Sequence, residues 1–261
     1  MSARILAYAR AQLAQQDIAH AVSQRAAQPL RRAGLHARMA LLACLHVLEC
    51  EQPQGCDVAS DGPVACSTAL LWHSLQGPQA ETEALLAAQR EGDGLLLPFD
   101  FLASQPGLLC AHLRPFIPGL EQAVFLPGTA HPHEQPWMQL LQLADVWLAE
   151  GRFQRVLCAS LDLGADSCQY AAISLRADTP AQHALMTAQP LVRAQWQPKD
   201  EALDGALCSA EHGLAADADL WRMLEDPAAQ ELVLPVFAPP MTQLHLLRMH
   251  AGAAKGGRLA P

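Results

Sequence analysis

The usual signatures of chemistry are missing from this chain. There is no G-x-S-x-G, which excludes a nucleophile elbow of the hydrolase type. There is no G-x-x-x-x-G-K-[ST] either; the lysine among glycines in "GAAKGG" lacks a strand before it and a helix after it, so it reads as tail. No G-x-G-x-x-G follows a strand, which argues against a dinucleotide site. Charge is scarce, at 16% of residues, and unbalanced, with 17 Lys+Arg against 26 Asp+Glu and a net charge of −9. No basic patch could neutralise many phosphates, so nucleic acid is excluded as a partner. No run approaches ~18 uninterrupted apolar residues, and the opening "MSARILAYARAQLAQQDIAHAV" has neither an apolar block nor a cleavage pattern. The expectation is a cytoplasmic protein without a membrane span. Eight cysteines are present but no C-x-x-C, so buried, reduced thiols are expected and neither a metal nor a cofactor. No internal repeat or low-complexity linker divides the chain.

What is there is apolar. Hydrophobic residues make up 51% of 261, enough for a sizeable core. Residues 1–25, rich in Ala, Gln and Leu, read as a helix. Residues 34–49, "GLHARMALLACLHVLE", read as a strongly apolar helix with Met39, Leu42, Cys44, Leu45 and Leu48 available for burial. "PVACSTALL" (63–71) reads as a buried strand. Residues 77–94 read as a helix, acidic early, with Arg90 late and Gly92 and Gly94 as stops. A proline-rich stretch, 95–120, holds a helix between irregular segments. Residues 152–164 and 169–180 are strands whose continuous apolar runs imply cover on both faces. Beyond them, "PLVRAQWQP" reads as an edge strand, "DADLWRMLE" as a short helix and "ELVLPVFAPP" as an extended segment. Alternating strands and helices give an α/β class with a mixed sheet covered by helices. The expected organisation is an N-terminal helix over 1–27, a main body over 28–180 and an irregular extension over 181–261.

The stretch "VFLPGTAHPHEQPWMQLLQLADVWLAEG" (124–151) is the candidate site. An apolar strand end, Val124, Phe125 and Leu126, stops at Pro127-Gly128. A polar turn follows, with Gly128, Thr129, Ala130, His131, His133 and Glu134, and then a helix from Pro136 to Gly151. Strand, tight turn and helix make a common mount for a nucleophile, yet this turn has no Cys and Thr129 is its one hydroxyl. Two His at i and i+2 on an extended segment point the same way, and Glu134 could join them on a metal. Zinc would need a further protein ligand, for which His112 and Asp162 are candidates. The competing reading is a solvated, proline-braced loop.

Four features in order resemble the short β-ketoacyl-synthase-like proteins found among the condensing components of aryl polyene and related polyketide or fatty-acid-type clusters. "LRRAGLHARMALLACLHVLE" resembles their basic-then-apolar helix. "PVACSTALLWHSLQGPQAETEALLAAQREGDGLLLPFDFLASQPGLLCAHL" resembles the following strand and helix. "LADVWLAEGRFQRVLCASLD" resembles the buried helix and next core strand, and "YAAISL" the returning strand that closes the first half of the thiolase fold. The resemblance covers about residues 28–176. It implies a thiolase-like half fold, with the family's first N-terminal strand missing and an irregular C-terminal extension. It places residues 128–134 where a working ketosynthase carries its catalytic cysteine, so no catalytic residue is assigned. A non-catalytic, chain-length-factor-like subunit is implied, paired with a catalytic β-ketoacyl synthase and reaching an acyl carrier protein only indirectly. In that family the strand before the turn pairs across the dimer, which would put Val124, Phe125 and Leu126 at the partner interface. Trp137, Met138 and Leu141 would then line or back a shared acyl tunnel, or else simply fill the core. The alternative is a small stand-alone acyl-transfer enzyme or metal-assisted hydrolase using His131, His133 and Glu134.

Overall fold

The computed structural model describes residues 3–30, 33–51, 66–90, 98–127, 136–164, 166–177, 191–198, 219–226, 228, 231–236 and 242–249. Its strands are β1 (Ala3–Ala14), β2 (Thr68–Ser74), β3 (Leu120–Pro127), β4 (Arg155–Leu163), β5 (Ser167–Ala177), β6 (Leu191–Pro198), β7 (Glu231–Val236) and β8 (Thr242–Met249). The helices are α1 (Ile18–Arg25), α2 (Leu35–Glu51), α3 (Gln79–Arg90), α4 (Pro98–Ala103), α5 (Leu109–Leu113) and α6 (Pro136–Ala149), with a further helix, α7, over 219–225.

All eight strands join one mixed sheet in the order β3-β2-β4-β5-β1-β6-β8-β7. β2 runs parallel to β3 and β4, whereas β5 is antiparallel to both β4 and β1. The strands β3, β2, β4 and β1 therefore point one way, and their carboxyl ends share one rim of the sheet. β6, β8 and β7 continue the sheet beyond β1 as antiparallel neighbours. The C-terminal extension thus adds three strands, and β6 lies inside the sheet where the sequence suggested an edge.

The N-terminal helix is corrected in its first half: residues 3–14 form β1, a strand paired with β5 along its length, so the first strand is present, and only residues 18–25 are helical, as α1. Helix formers such as Ala, Gln and Arg misled the reading, because a central sheet position overrides intrinsic propensity. Burial shows the strand period after a register shift between Ile5 and Ala7: Ala7 and Ala9 are buried while Tyr8, Arg10 and Gln12 are exposed. The small side chains let α2 lie close on that face.

Two apolar layers cover the sheet. On one face α6 and α7 pack against Ile5, Leu71, Val156, Cys158, Ile173 and Leu175. On the other, α1, α2 and α5 pack against Ala7, Ala9, Leu70, Trp72, Leu157 and Ala172. α2 buries Met39, Leu41, Leu42, Cys44 and Val47 among others, as its continuous apolar composition requires. Its first backbone donor, Leu35 N–H, is accepted by the Glu81 carboxylate of α3 rather than by a local cap residue. A Cβ at Gly34 would push against the Glu81 side chain and displace it. Among the described residues no helix is long and apolar enough to cross a membrane.

Candidate functional site at the carboxyl ends of the strands

β3 delivers the chain to the rim where β1, β2 and β4 also end, and α6 leaves from the same rim. The turn residues Gly128, Thr129, Ala130, His131, His133 and Glu134 lie outside the described residues. On β2, His73 stands opposite Leu126 of β3 on one side and Ser160 of β4 on the other. Its Nδ1–H donates to the Leu126 carbonyl at 3.2 Å, tying the end of β3 to the neighbouring strand. Ser74 is fully buried and its Oγ accepts the Gly77 N–H at 3.0 Å. Gly77 has φ +53°, the left-handed region that suits glycine, and a Cβ there would come 3.1 Å from the Phe125 ring.

A polar floor extends from His73 on the α6 face. One cross-strand row runs His73, Ser160, Ala171, Arg10, and the next runs Asp162, Gln169, Gln12. Trp221 of α7 walls this groove of about 520 Å³. Arg10 pairs with Glu225 at 2.6 Å and stands over the Trp221 ring at 5.9 Å. Trp221 in turn meets Trp137 edge-on at 5.2 Å. The sequence reading overlooked His73 and this floor. The signal was there, as a histidine ending the apolar run "TALLWH" and a serine and an aspartate at alternate positions in "ASLD".

The three expected interface residues are divided by the strand's pleat. Val124 and Leu126 pack toward the α6 layer, while Phe125 faces the α2 layer and stacks on Trp72 with ring centroids 4.3 Å apart. What they share is the strand's outer edge, because β3 pairs only with β2 among the described strands. Trp137, Met138 and Leu141 are buried in the core between α6 and the sheet. Of the two extra metal candidates, Asp162 stands on the groove floor, whereas His112 lies on α5, where burial and then the nearby His36 hold its pKa below the usual histidine value. Among the described residues no group of three or more His, Cys, Asp and Glu could hold a metal.

Burial disfavours the thiolate at four of the described cysteines. Burial pushes Cys44 up to about 12 and raises Cys158, whose Sγ–H donates to the Leu140 carbonyl at 3.7 Å. Burial also raises Cys50 and Cys168. The groove floor can hold polar groups through Arg10, Ser160, Asp162 and Gln169.

No protein-family model matches this chain, and no curated protein matches it. Solved structures do. A β-ketoacyl synthase from Burkholderia phymatum aligns with a TM-score of 0.54 at 12% identity, over 95% of this chain and 100% of that one. A ketosynthase in complex with its chain length factor, from Xenorhabdus doucetiae, aligns with a TM-score of 0.50 at 11% identity, over 95% and 100%. This is the thiolase-like fold of the β-ketoacyl synthases.

Proposed function

We propose that this chain is a non-catalytic, chain-length-factor-like subunit that pairs with a catalytic β-ketoacyl synthase in polyketide- or fatty-acid-type (aryl polyene-like) biosynthesis. The observation that carries the reading is a thiolase-like strand–turn–helix whose turn, Gly128 to Glu134, contains no cysteine. Without a thiolate there is no acceptor for an acyl thioester, so condensation belongs to the partner. The similar structure of a ketosynthase with its chain length factor supports the same arrangement. The outer edge of β3, unpaired among the described strands and with Val124, Phe125 and Leu126 along it, is where the partner strand adds. Trp137, Met138 and Leu141 then back the shared acyl tunnel through the α6 layer. An acyl carrier protein meets the complex through the catalytic subunit.

The test is co-expression with ketosynthases from the same genome, followed by size and mass analysis of what co-purifies. A stable one-to-one complex is expected. A Gln122→Lys substitution, which adds a charge to the edge at a half-buried position of β3, should abolish it while leaving this chain folded. A monodisperse chain that ignores every ketosynthase overturns the reading. Phe125 is unsuitable for this purpose, because its ring is part of the chain's own core.

A further inference from the structure

Helix α3 buries none of its 12 residues, and its Leu86 is exposed. A helix that buries no side chain gains little from apolar packing, so a few polar ties decide where it sits. One tie is Glu81. Its carboxylate accepts the Leu35 N–H at the start of α2 and stands 3.3 Å from His36 Nδ1. The other is the turn that enters the helix. There Ser74 Oγ accepts the Gly77 N–H at 3.0 Å, and Gly77 takes φ +53°. The helix that α3 leans on, α4, belongs to the same connection between β2 and β3. Two cavities, of about 400 and 430 Å³, lie against α3, and Leu35 and Ala80 line both.

Both ties lead to β3. Glu81 faces His36, the His36 ring stacks on Trp72 at 5.7 Å, and Trp72 meets Phe125 of β3 at 4.3 Å. The Phe125 ring also lies against the entry to α3, since a Cβ on Gly77 would come 3.1 Å from it. The docked position carries a cost. Glu81 Oε2 is buried with no hydrogen-bond partner among the described residues. A buried, unpaired carboxylate oxygen opposes docking, and swinging α3 outward hydrates it. Docked and undocked positions of α3 are therefore separated by little free energy.

We infer that α3 is a hinged lid, latched to α2 by Glu81 and geared to the edge strand β3 through Phe125. Closed, it keeps Gly77 against the Phe125 ring and His36 against Trp72, so β3 is held from within. Turning outward about Gly77, it withdraws both supports, and the end of β3 loosens with it. The groups around the latch fix the sign of its pH response. From α2 come His36 and Arg38, the latter lining the same cavity as Glu81, with Gln15 and Gln16 adding no charge. From α5, His112 stands near His36. On α3 itself, Glu83 accepts from Gln79. The cationic neighbours favour the Glu81 carboxylate, and protonation removes the acceptor for Leu35 N–H, so acid opens the lid. The device lies within this chain and does not depend on the proposed ketosynthase partnership.

The experiment is amide hydrogen exchange of the full chain at pH 7, read segment by segment. Glu81→Gln should speed exchange about fivefold or more in α3 and also in the β3 amides bonded to β2, with β6 and β8 unchanged. Coupling between two sites is reciprocal, so Phe125→Leu should speed exchange in α3 by a similar factor. The parent chain at pH 4, corrected for the intrinsic rate, should match Glu81→Gln at pH 7, and it supplies the forward measurement if that variant fails to fold. The inference is overturned if α3 stays as protected in Glu81→Gln as in the parent, or if α3 loosens while β3 does not. It is equally overturned if Phe125→Leu leaves α3 unchanged or speeds exchange evenly through every strand; α3 is then an ordinary surface helix with no link to the edge.

Discussion

The sheet ends in two edges that are built differently. β7, "ELVLPV", has Pro235 as its last residue but one, and a proline has no backbone N–H to donate. β3, "LEQAVFLP", has its proline only at the last position and leaves an apolar run, Ala123 to Leu126, along an outer edge that no described strand covers. β3 is anchored from within: Phe125 stacks on Trp72, the Leu126 carbonyl accepts from His73, and Val124 and Leu126 pack toward α6. One edge carries a proline inside the strand, and the other carries its proline only at the strand's end and is uncovered among the described residues. An unguarded edge held in place is what an obligate partner needs and what a solitary protein avoids. The comparison therefore says more about function than either edge does alone.

The largest way to break it is to remove the anchor. Trp72 is fully buried between Phe125 and the His36 ring, which stacks on it at 5.7 Å. Trp72→Ala should cost about 4 kcal/mol in denaturant unfolding, through lost burial and the cavity left behind. Amide exchange should rise first in β3, with β7 little changed. A loss of protection spread evenly over both edges would show that Trp72 does not specifically hold the open edge.

Acid should loosen the same region by a different route. Burial works to raise the Glu81 pKa, but the hydrogen bond and charge of His36, with backbone N–H groups including that of Leu35, outweigh it and hold the carboxyl below its usual 4.5. A lowered carboxylate pKa gives stability that is present above about pH 4.5 and lost as pH falls through the folded value. α3 has no buried residue of its own, so Glu81 is its main tie to α2. α3 belongs to the connection between β2 and β3, and acidification should release it before β7 responds. Asp145 has the opposite sign. Burial pushes its pKa up to about 6 despite the hydrogen bond from Ala3 N–H at 3.0 Å. Its ionisation opposes folding above that value, so stability should rise slightly as pH drops from 7 through 6, then fall below 4.5. Asp145→Asn should remove the rise and Glu81→Gln the fall, with a cost of about 1 kcal/mol at pH 7 for the latter. Thermal unfolding across pH 3–8 checks both; an unchanged profile in either variant would remove that group from the account.

How much of this was legible in the chain depends on whether neighbours along the sequence or across the sheet decide the outcome. The apolar run of α2 and the strands β4 and β5 could be read directly, because continuous burial leaves a continuous apolar run. The order of elements was enough to suggest the thiolase-like fold. β1 was misread because Ala3, Ala7 and Ala9 look helical until the strands on both sides are known. The last three strands were hard to read for the same reason: "TQLHLLRM" gains its pairing from β6 and β7, far away in sequence. At the site, the absence of a cysteine in 128–134 was plain, whereas the His73–Ser160 row exists only through register. No spacing along the chain encodes a row that crosses four strands. Val124, Phe125 and Leu126 share the edge strand β3, but successive side chains alternate faces, which the apolar run alone does not show.

The smallest expected effect on stability sharpens the comparison most. Pro235→Val restores a backbone donor to β7 and supplies a residue that favours strands, so folding stability should change by only about 0.5 kcal/mol. The change should appear in association instead. With the guard removed, β7 becomes a second open edge, and sedimentation velocity should show self-association that grows with concentration and is absent from the parent chain. Gln122→Lys on β3 should do the reverse at the other edge, lowering association with a ketosynthase and leaving β7 unaffected. If Pro235→Val stays as monodisperse as the parent, the proline is not what closes that edge. The contrast would then rest on β3 alone, on the fixed apolar edge that Trp72, His73 and α6 hold in place.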